Sequence, residues 1–405
     1  MMKRALGIAV LALAASAMFA ESVLAKNIVV DKNEAAPFNC QPTVKPVNRR
    51  TTIQAAVTLA LISDTVLVCP GQYPEQVVID KAITLKGAAD LTGGNLTVIT
   101  RPVAADGGYQ APVLLVDSLH YGEPPPGHEP SQPLVAPQVL VQGPGASYAK
   151  VLNLAVDGGF EPKSSSACPP PGAASAYRSV GIFFKNVGTP ADSAAGGTIG
   201  NVSVRNQYAD GCPGLKGVGI LAENSYISVL DSNVHSIIGD GVVQRGGVAF
   251  VQRNFLMDVT DYSVWMYNGT ASDVRTNTII HTNEAVLVHA SADTDVVSNV
   301  IGPYVGTGIH LANDSGTNVA SNRMIYTGVG IWVNESSGAT VTGNIVQLSG
   351  TGIIDKYSFG GTNVIKSNEV NEALVGLNAV NPGTDVLTPN TYTNVTTATV
   401  IEVVP

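Results

Sequence analysis

Charge is scarce in this chain. Asp, Glu, Lys and Arg make up only 13% of it, and acids outnumber bases to leave a net charge of −9. That balance argues against a nucleic-acid or anionic-membrane partner, both of which demand a basic face. It also weighs mildly against a strongly anionic polysaccharide, unless a local basic strip or a bound cation offsets it. There are four cysteines, Cys40, Cys69, Cys168 and Cys212, with no Cys-x-x-Cys or Cys/His spacing, which sets a thiolate metal site aside. After residue 25 no apolar run is long enough to span a bilayer. What the chain has instead is 45% hydrophobic residues and 42 glycines, a composition suited to many short strands and tight turns.

The first 25 residues read as a secretory signal. Lys3 and Arg4 form a charged start, Ala5 to Ala17 an apolar stretch, and Val23-Leu24-Ala25 a cleavage site, with Ala15-Ser16-Ala17 competing. The expectation is an exported protein, periplasmic or secreted. An even number of cysteines in an oxidising compartment predicts two disulfides. Cys40–Cys69 would tie the lead-in to an early turn of the fold, and Cys168–Cys212 would pin an insertion.

Asparagine recurs at a nearly fixed interval: Asn206, Asn233, Asn254, Asn277, Asn299, Asn322, Asn344 and Asn368. After a first gap of 27, the steps are 21, 23, 22, 23, 22 and 24. So regular a period predicts a solenoid, in which each repeat buries its apolar face only against its neighbours. A branched aliphatic stands three residues before many of these asparagines (Val251, Val274, Val296, Val319, Val341, Ile365). A short apolar run follows about eight residues after several of them, as in Gly308-Ile309-His310-Leu311 and Gly330-Ile331-Trp332-Val333. Such runs, split by Gly, Asn, Ser and Thr, read as strands. Three short strands in roughly 22 residues make one coil of a parallel β-helix, with the asparagines stacked about 4.8 Å apart as an internal ladder.

These features, with Thr52-Ile53-Gln54-Ala55-Ala56-Val57, Gly71-Gln72-Tyr73-Pro74-Glu75 and Ile83-Thr84-Leu85-Lys86-Gly87 near the start, resemble the right-handed parallel β-helix (PbH1 repeat) proteins of the pectin-lyase-like superfamily. The resemblance implies an all-β, right-handed solenoid with a short N-terminal capping helix. Gly71 to Glu75 also fits a pattern of pectin methylesterases. The signature motifs of pectate lyases, polygalacturonases and pectin methylesterases are otherwise absent. Among relatives without established catalysis, the β-helix protein of nitrous-oxide-reductase maturation shares the repeats and export.

One domain is expected beyond the signal. Residues 26–63 form the lead-in and cap, with a helix over 51–61, and 64–380 form the coils. Insertions interrupt them near 117–137 and 158–197, and 381–405 form a tail over the last coil. His120 and His128 fall in the first insertion and read as solvated loop residues.

With the asparagines as a ruler, side chains that point out of the strand following each one form two columns. The first reads Val243, Trp265, Leu287, His310, Trp332, Ile354; the second reads Arg245, Tyr267, His289, Ala312, Asn334, Lys356. Aromatic rings beside polar and cationic tips suit a sugar, whose C–H faces stack and whose hydroxyls bond. Trp265, Tyr267, His310, Trp332, Asn334 and Lys356 are therefore the candidate substrate-binding residues. Seven residues after Asn233, Asn254 and Asn277 stand Asp240, Asp261 and Glu284, which the count stacks as one acidic column. Stacked like charges imply a raised pKa, an acid–base task or a cation such as Ca²⁺. The candidate catalytic set is Asp240, Asp261 and Glu284, with Arg245 or His289 stabilising developing negative charge. Two carboxyls suit glycoside hydrolysis, their separation setting its stereochemistry. The function expected is action on, or binding of, a polysaccharide or cell-surface glycan: a lyase, hydrolase or epimerase, an adhesin-like binder, or a periplasmic maturation module.

Overall fold

The computed structural model describes residues 25–32, 40, 48–88, 96–102, 113–118, 134–159, 177–189, 195–208, 216–358 and 361–403. Apart from one short antiparallel pairing at Val116–Asp117, strand stacks on strand in parallel, giving an all-β parallel solenoid. Each coil from Gly239 onward repeats three faces. On the strip face, Val286–His289 pairs with 309–312, then 331–334, then 353–356. On the second face, Asp295–Val297 pairs with Asn318–Ala320 and that with Thr340–Thr342. On the third face, Val300–Ile301 pairs with Arg323 and Met324.

Three bends per coil close the triangle, and each is made by a residue in the left-handed region. Asn268, Ala290 and Asn313 form one such row, Thr276, Ser298 and Ser321 the next, and His281, Tyr304 and Tyr326 the third, all with φ between 49° and 61°. Left-handed backbone costs an L residue about 1–2 kcal/mol. The interior offsets that cost. One continuous core runs from Ile28 to Leu377, filled by Val, Ile, Leu and Ala at inward strand positions, each large aliphatic contributing roughly 1.5–3 kcal/mol. The glycine before each strip strand serves this packing: a Cβ on Gly308 would lie 2.4 Å from the carbonyl oxygen of Gly330 on the next coil.

The ladder lies just after the second bend. Asn277 donates through its backbone N–H and its Nδ2 to Oδ1 of Asn299, at 2.9 and 3.0 Å, and Asn299 repeats the pattern to Asn322. The run is Asn254, Asn277, Asn299, Asn322, Asn344, Asn368 and Asn390. Asn206 and Asn233 do not belong to it. Asn233 is the first residue of a third-face strand, paired with Phe255, and the ladder position before Asn254 is Ser232, whose N–H donates to Asn254 Oδ1. Asn206 takes a left-handed φ of 53° after the strand Ser203–Arg205. The uneven first gap in the asparagine series is the trace of this change.

The helix is shorter than expected, Ile53–Leu59, and buries Ile53, Ala56 and Val57 against the first coils. Thr52 caps it through Oγ1. Glu75 supplies the rest, accepting the N–H groups of Ile53 and Gln54 at 2.9 and 3.0 Å. Tyr73 is buried with its hydroxyl donating to the Cys69 carbonyl. The Gly-x-Tyr-x-Glu pattern therefore holds the cap in place. The Cys40–Cys69 disulfide ties the lead-in to the same coil.

Both ends of the stack reach further than the coil range 64–380. Asn27–Val30 pairs in parallel with Thr65–Val68. Thr391–Thr393 and Thr397–Glu402 continue the stack as strands rather than folding over its end. Residues 177–185, expected within the second insertion, form a strand paired on both sides with coil strands, and Leu134–Gln142 begins within the first. Cys168, Cys212, His120, His128 and residues 1–24 lie outside the described residues.

Candidate functional site

The outward columns are arranged as counted. Val243, Trp265, Leu287, His310, Trp332 and Ile354 are Cα partners in succession, and so are Arg245, Tyr267, His289, Ala312, Asn334 and Lys356. Their exposure differs along the strip. Val135, Leu140, Phe183, Leu221, Val243, Trp265 and Leu287 form a second apolar cluster outside the solenoid core. Leu114 and Val116 pack against it, and Val116–Asp117 adds a short antiparallel strand beside Leu134–Val135. Lys185 Nζ donates to the carbonyl of Asp117, and Ser118 Oγ to Glu223 Oε1, holding this cover down. Trp265, counted among the outward substrate-binding candidates, is consequently only 7% exposed, whereas Trp332, half-buried, is the more accessible of the two. Trp265 packs between Tyr262 and Tyr267, at 5.2 and 6.0 Å between ring centroids.

The acidic column is not a column of three acids. Val242 pairs with Val264 and Val264 with Val286, which puts Asp240, Tyr262 and Glu284 at one position. Between Val259 and Tyr262 the register slips, because Thr260 and Asp261 face a single residue, Asn283, on the next coil. Asp261 is the extra residue of a bulge, a device that re-aims a side chain at the edge of a site. It turns to Lys216, whose Nζ lies 2.5 Å from its Oδ2. Counting from Asn233 rather than from Ser232 hides this displacement.

The acids differ in their environment. Asp240 is 3% exposed, and burial, reinforced by the charge of Asp261, pushes its carboxyl up to about 7 despite Arg178, Lys216 and the backbone N–H of Tyr262. Its Oδ1 has no hydrogen-bond partner among the described residues. The Tyr262 hydroxyl is pushed up to about 12, first by burial and then by Glu284, Asp240 and Asp261, so it stays a proton donor at any physiological pH. Glu284 Oε2 lies 3.2 Å from His310 Nδ1. The His310 ring is stacked on Trp332, centroids 4.3 Å apart and planes 2° from parallel. His310 Nε2 and Trp332 Nε1 have no partner among the described residues.

Arg245 is buried, with its guanidinium 5.3 Å from the Tyr267 ring, and Tyr267 meets His289 edge-on at 5.2 Å. Burial, with help from His310, lowers the His289 pKa, so its imidazole is neutral near pH 7. Lys356 Nζ sits 4.8 Å over the Tyr357 ring, several coils away from Asp240. Tyr262, Lys216 and Arg178 were not reached by counting along the sequence, because a bulge and a long-range approach place them. The candidate Ca²⁺ ligands are parted: Tyr262 stands between Asp240 and Glu284, and Lys216 occupies Asp261. Among the described residues no three His, Cys, Asp or Glu side chains form a metal-binding group.

The model of one protein family, described as periplasmic copper-binding protein (NosD), matches residues 242–402, less than half of the chain. No curated protein matches. Among solved structures, the A-module of the Azotobacter vinelandii mannuronan C-5 epimerase AlgE6 superposes with a TM-score of 0.55 at 17% identity, covering 87% of this chain and 94% of that one. The Dettilon tailspike protein gives 0.59 at 14% identity, covering 93% of this chain and 68% of its own. PfbA, a surface adhesin of Streptococcus pneumoniae, gives 0.57 at 11%, covering 85% of each. At these identities the likeness is one of fold: the chain is a parallel β-solenoid.

Proposed function

We propose that this is an exported polysaccharide-active protein that carries out acid–base chemistry on a glycan laid against the strip face, with Asp240 as the proton donor. The observation that carries the reading is the Asp240 carboxyl itself: buried, pushed up to about 7, and with one oxygen that has no partner among the described residues. A group poised near neutral pH can give a proton and take it back within one turnover. Tyr262 stands beside it as a second O–H donor, suited to a developing oxyanion. The Glu284–His310 pair and the neutral His289 lie along the strip as acceptors. Asp261, held by Lys216, acts on Asp240 through its charge and positions its proton. Trp332 offers an apolar ring to a sugar face.

Two solved relatives in fold bear names that concern a polysaccharide or a cell surface, a mannuronan epimerase and an adhesin. The Cys40–Cys69 disulfide accords with an oxidising compartment, as does the signal read in residues 1–25. A copper-handling role has no support from the donors present among the described residues.

The test is incubation of the mature protein with a polysaccharide panel. Reducing ends, unsaturated sugars and C-5 configuration are followed as separate products. Turnover is expected from the native protein and a loss of at least a hundredfold from Asp240→Asn, with glycan retention intact. Retention without turnover, abolished by Trp332→Ala, would make the protein a binder. Turnover unaffected by Asp240→Asn would refute the assignment.

A further inference from the structure

We infer that the third bend of the solenoid carries a second glycan subsite, beside the acid centre and distinct from the strip. Here lies a groove of about 340 Å³ lined by Asp258, Val259, Thr260, His281, Thr282, Asn283 and Tyr304. Its side chains come from the bend row of successive coils: Asp258, His281 and Tyr304 all have φ between 53° and 61°. The left-handed bend turns each of them out of the solenoid. Tyr304 is 76% exposed, its ring 6.2 Å from that of His281 in an edge-on arrangement. His281 Nδ1 is hydrogen-bonded to Asp258 Oδ1, which fixes the imidazole and leaves Nε2 outside that pair. Tyr326 continues the row on the following coil, also exposed.

The chemistry of these groups fits a sugar. Tyr304 offers a broad, wet ring face with a hydroxyl at its tip, and the Asp258–His281 pair offers an acceptor and an oriented ring nitrogen for vicinal hydroxyls. Val259 is part of the solenoid core, so the groove floor is fixed rather than mobile. Exposed tyrosine at a bend position that L residues adopt at a cost has no packing function to explain it.

Continuity with the acid centre commits the occupant. Thr260 and Asn283 line the groove, and Asp261 and Glu284 are the residues that follow them. A glycan lying on the strip at Glu284 therefore meets this groove with its neighbouring sugar residue. The inference rests on the polysaccharide reading above and extends it: the occupied length of chain is longer than the strip alone would hold.

The experiment measures binding of size-graded oligosaccharides from whichever polysaccharide the native protein retains, using native protein, Tyr304→Ala and His281→Ala, with Asp240→Asn as a comparator. Affinity of the native protein is expected to rise with length and then level off. Tyr304→Ala should lose roughly tenfold for the long oligosaccharides and nothing for the shortest. Asp240→Asn should keep the full length dependence. If both bend variants bind every length as the native protein does, the subsite is overturned while the acid centre stands. If the native protein retains no glycan, both readings fall together. Circular dichroism and thermal melting of the variants guard against misfolding, and both positions are exposed enough to leave the coil unaltered.

Discussion

Glu284 and His310 face each other across adjacent coils, Oε2 to Nδ1 at 3.2 Å, and Trp332 on the coil beyond closes over the imidazole as a parallel stack. Three coils thus contribute one side chain each to a single unit. The carboxylate sets which ring nitrogen carries a proton, and the indole sets the plane of the ring.

Replacing Glu284 with Gln keeps the shape of that unit and removes its charge. Turnover of a polysaccharide is expected to fall about ten- to a hundredfold, with the basic limb of the pH–rate profile little changed, since that limb belongs to Asp240. In the native protein activity should decline as pH rises through about 7, where the Asp240 carboxyl loses its proton. A pH–rate profile of the two proteins side by side checks both statements.

Stability should depend on pH with an unusual sign. Asp355 lies at an inward strand position, between Val333 and Ala379, fully buried, and its carboxyl is pushed up to about 7 by burial, by a hydrogen bond with Asp385 and by the Asp385 charge. Asp240 and Asp314 are also pushed up to about 7, chiefly by burial. Such groups bind protons more tightly folded than unfolded. Their contribution is whole below the ordinary carboxylate value near 4 and is lost as pH rises through about 7. Thermal melting is expected at higher temperature at pH 5 than at pH 7.5. Asp355→Asn should reduce that difference, with Asp240 and Asp314 keeping the remainder, and an unchanged slope in the variant would count against the assignment.

The ladder can be probed at its middle. Asn299→Ala takes the acceptor from the Asn277 N–H and one bond each from the Asn277 Nδ2, the Val274 carbonyl and the Asn322 Oδ1, of which the Nδ2 keeps the Val251 carbonyl and the Oδ1 keeps the backbone N–H of residue 299. Leaving a buried N–H unpaired costs on the order of 1–3 kcal/mol before relaxation, and the lost bonds add to it. A fall of several degrees in melting temperature is expected from calorimetry, whereas Asn233→Ala, outside the ladder, should cost about 0.5 kcal/mol or less.

The repeat, the strand faces and the outward columns were legible because a solenoid projects its period directly onto the chain: Val286, Ile309 and Ile331 fall inward for the same local reason. The ladder was legible from Asn254 onward and misread before it, because Ser232 fills the position with a different residue type. The acidic column was half legible. The count put Asp240 and Glu284 at one position, as the register has them, but the register slip at Thr260 and Asp261 changes which residues are neighbours, and no local pattern marks a bulge. Tyr262 therefore went unnoticed between two acids. The burial of Trp265 was beyond reach for another reason: the segment around Val116 that covers it comes from some 150 residues earlier in the chain.

Three bends in every coil hold their shape with whatever residue stands there, as Asp258, His281, Tyr304, Tyr326, Leu348 and Glu372 show within one row. Fold and surface are thereby written in different letters of the same repeat. The inward positions and the ladder must keep their chemistry for the stack to close, whereas a bend residue answers only to what lies outside. A row of such positions is an alphabet spaced at one character per coil, about 4.8 Å, on which recognition can be revised character by character while the rod beneath it stays the same.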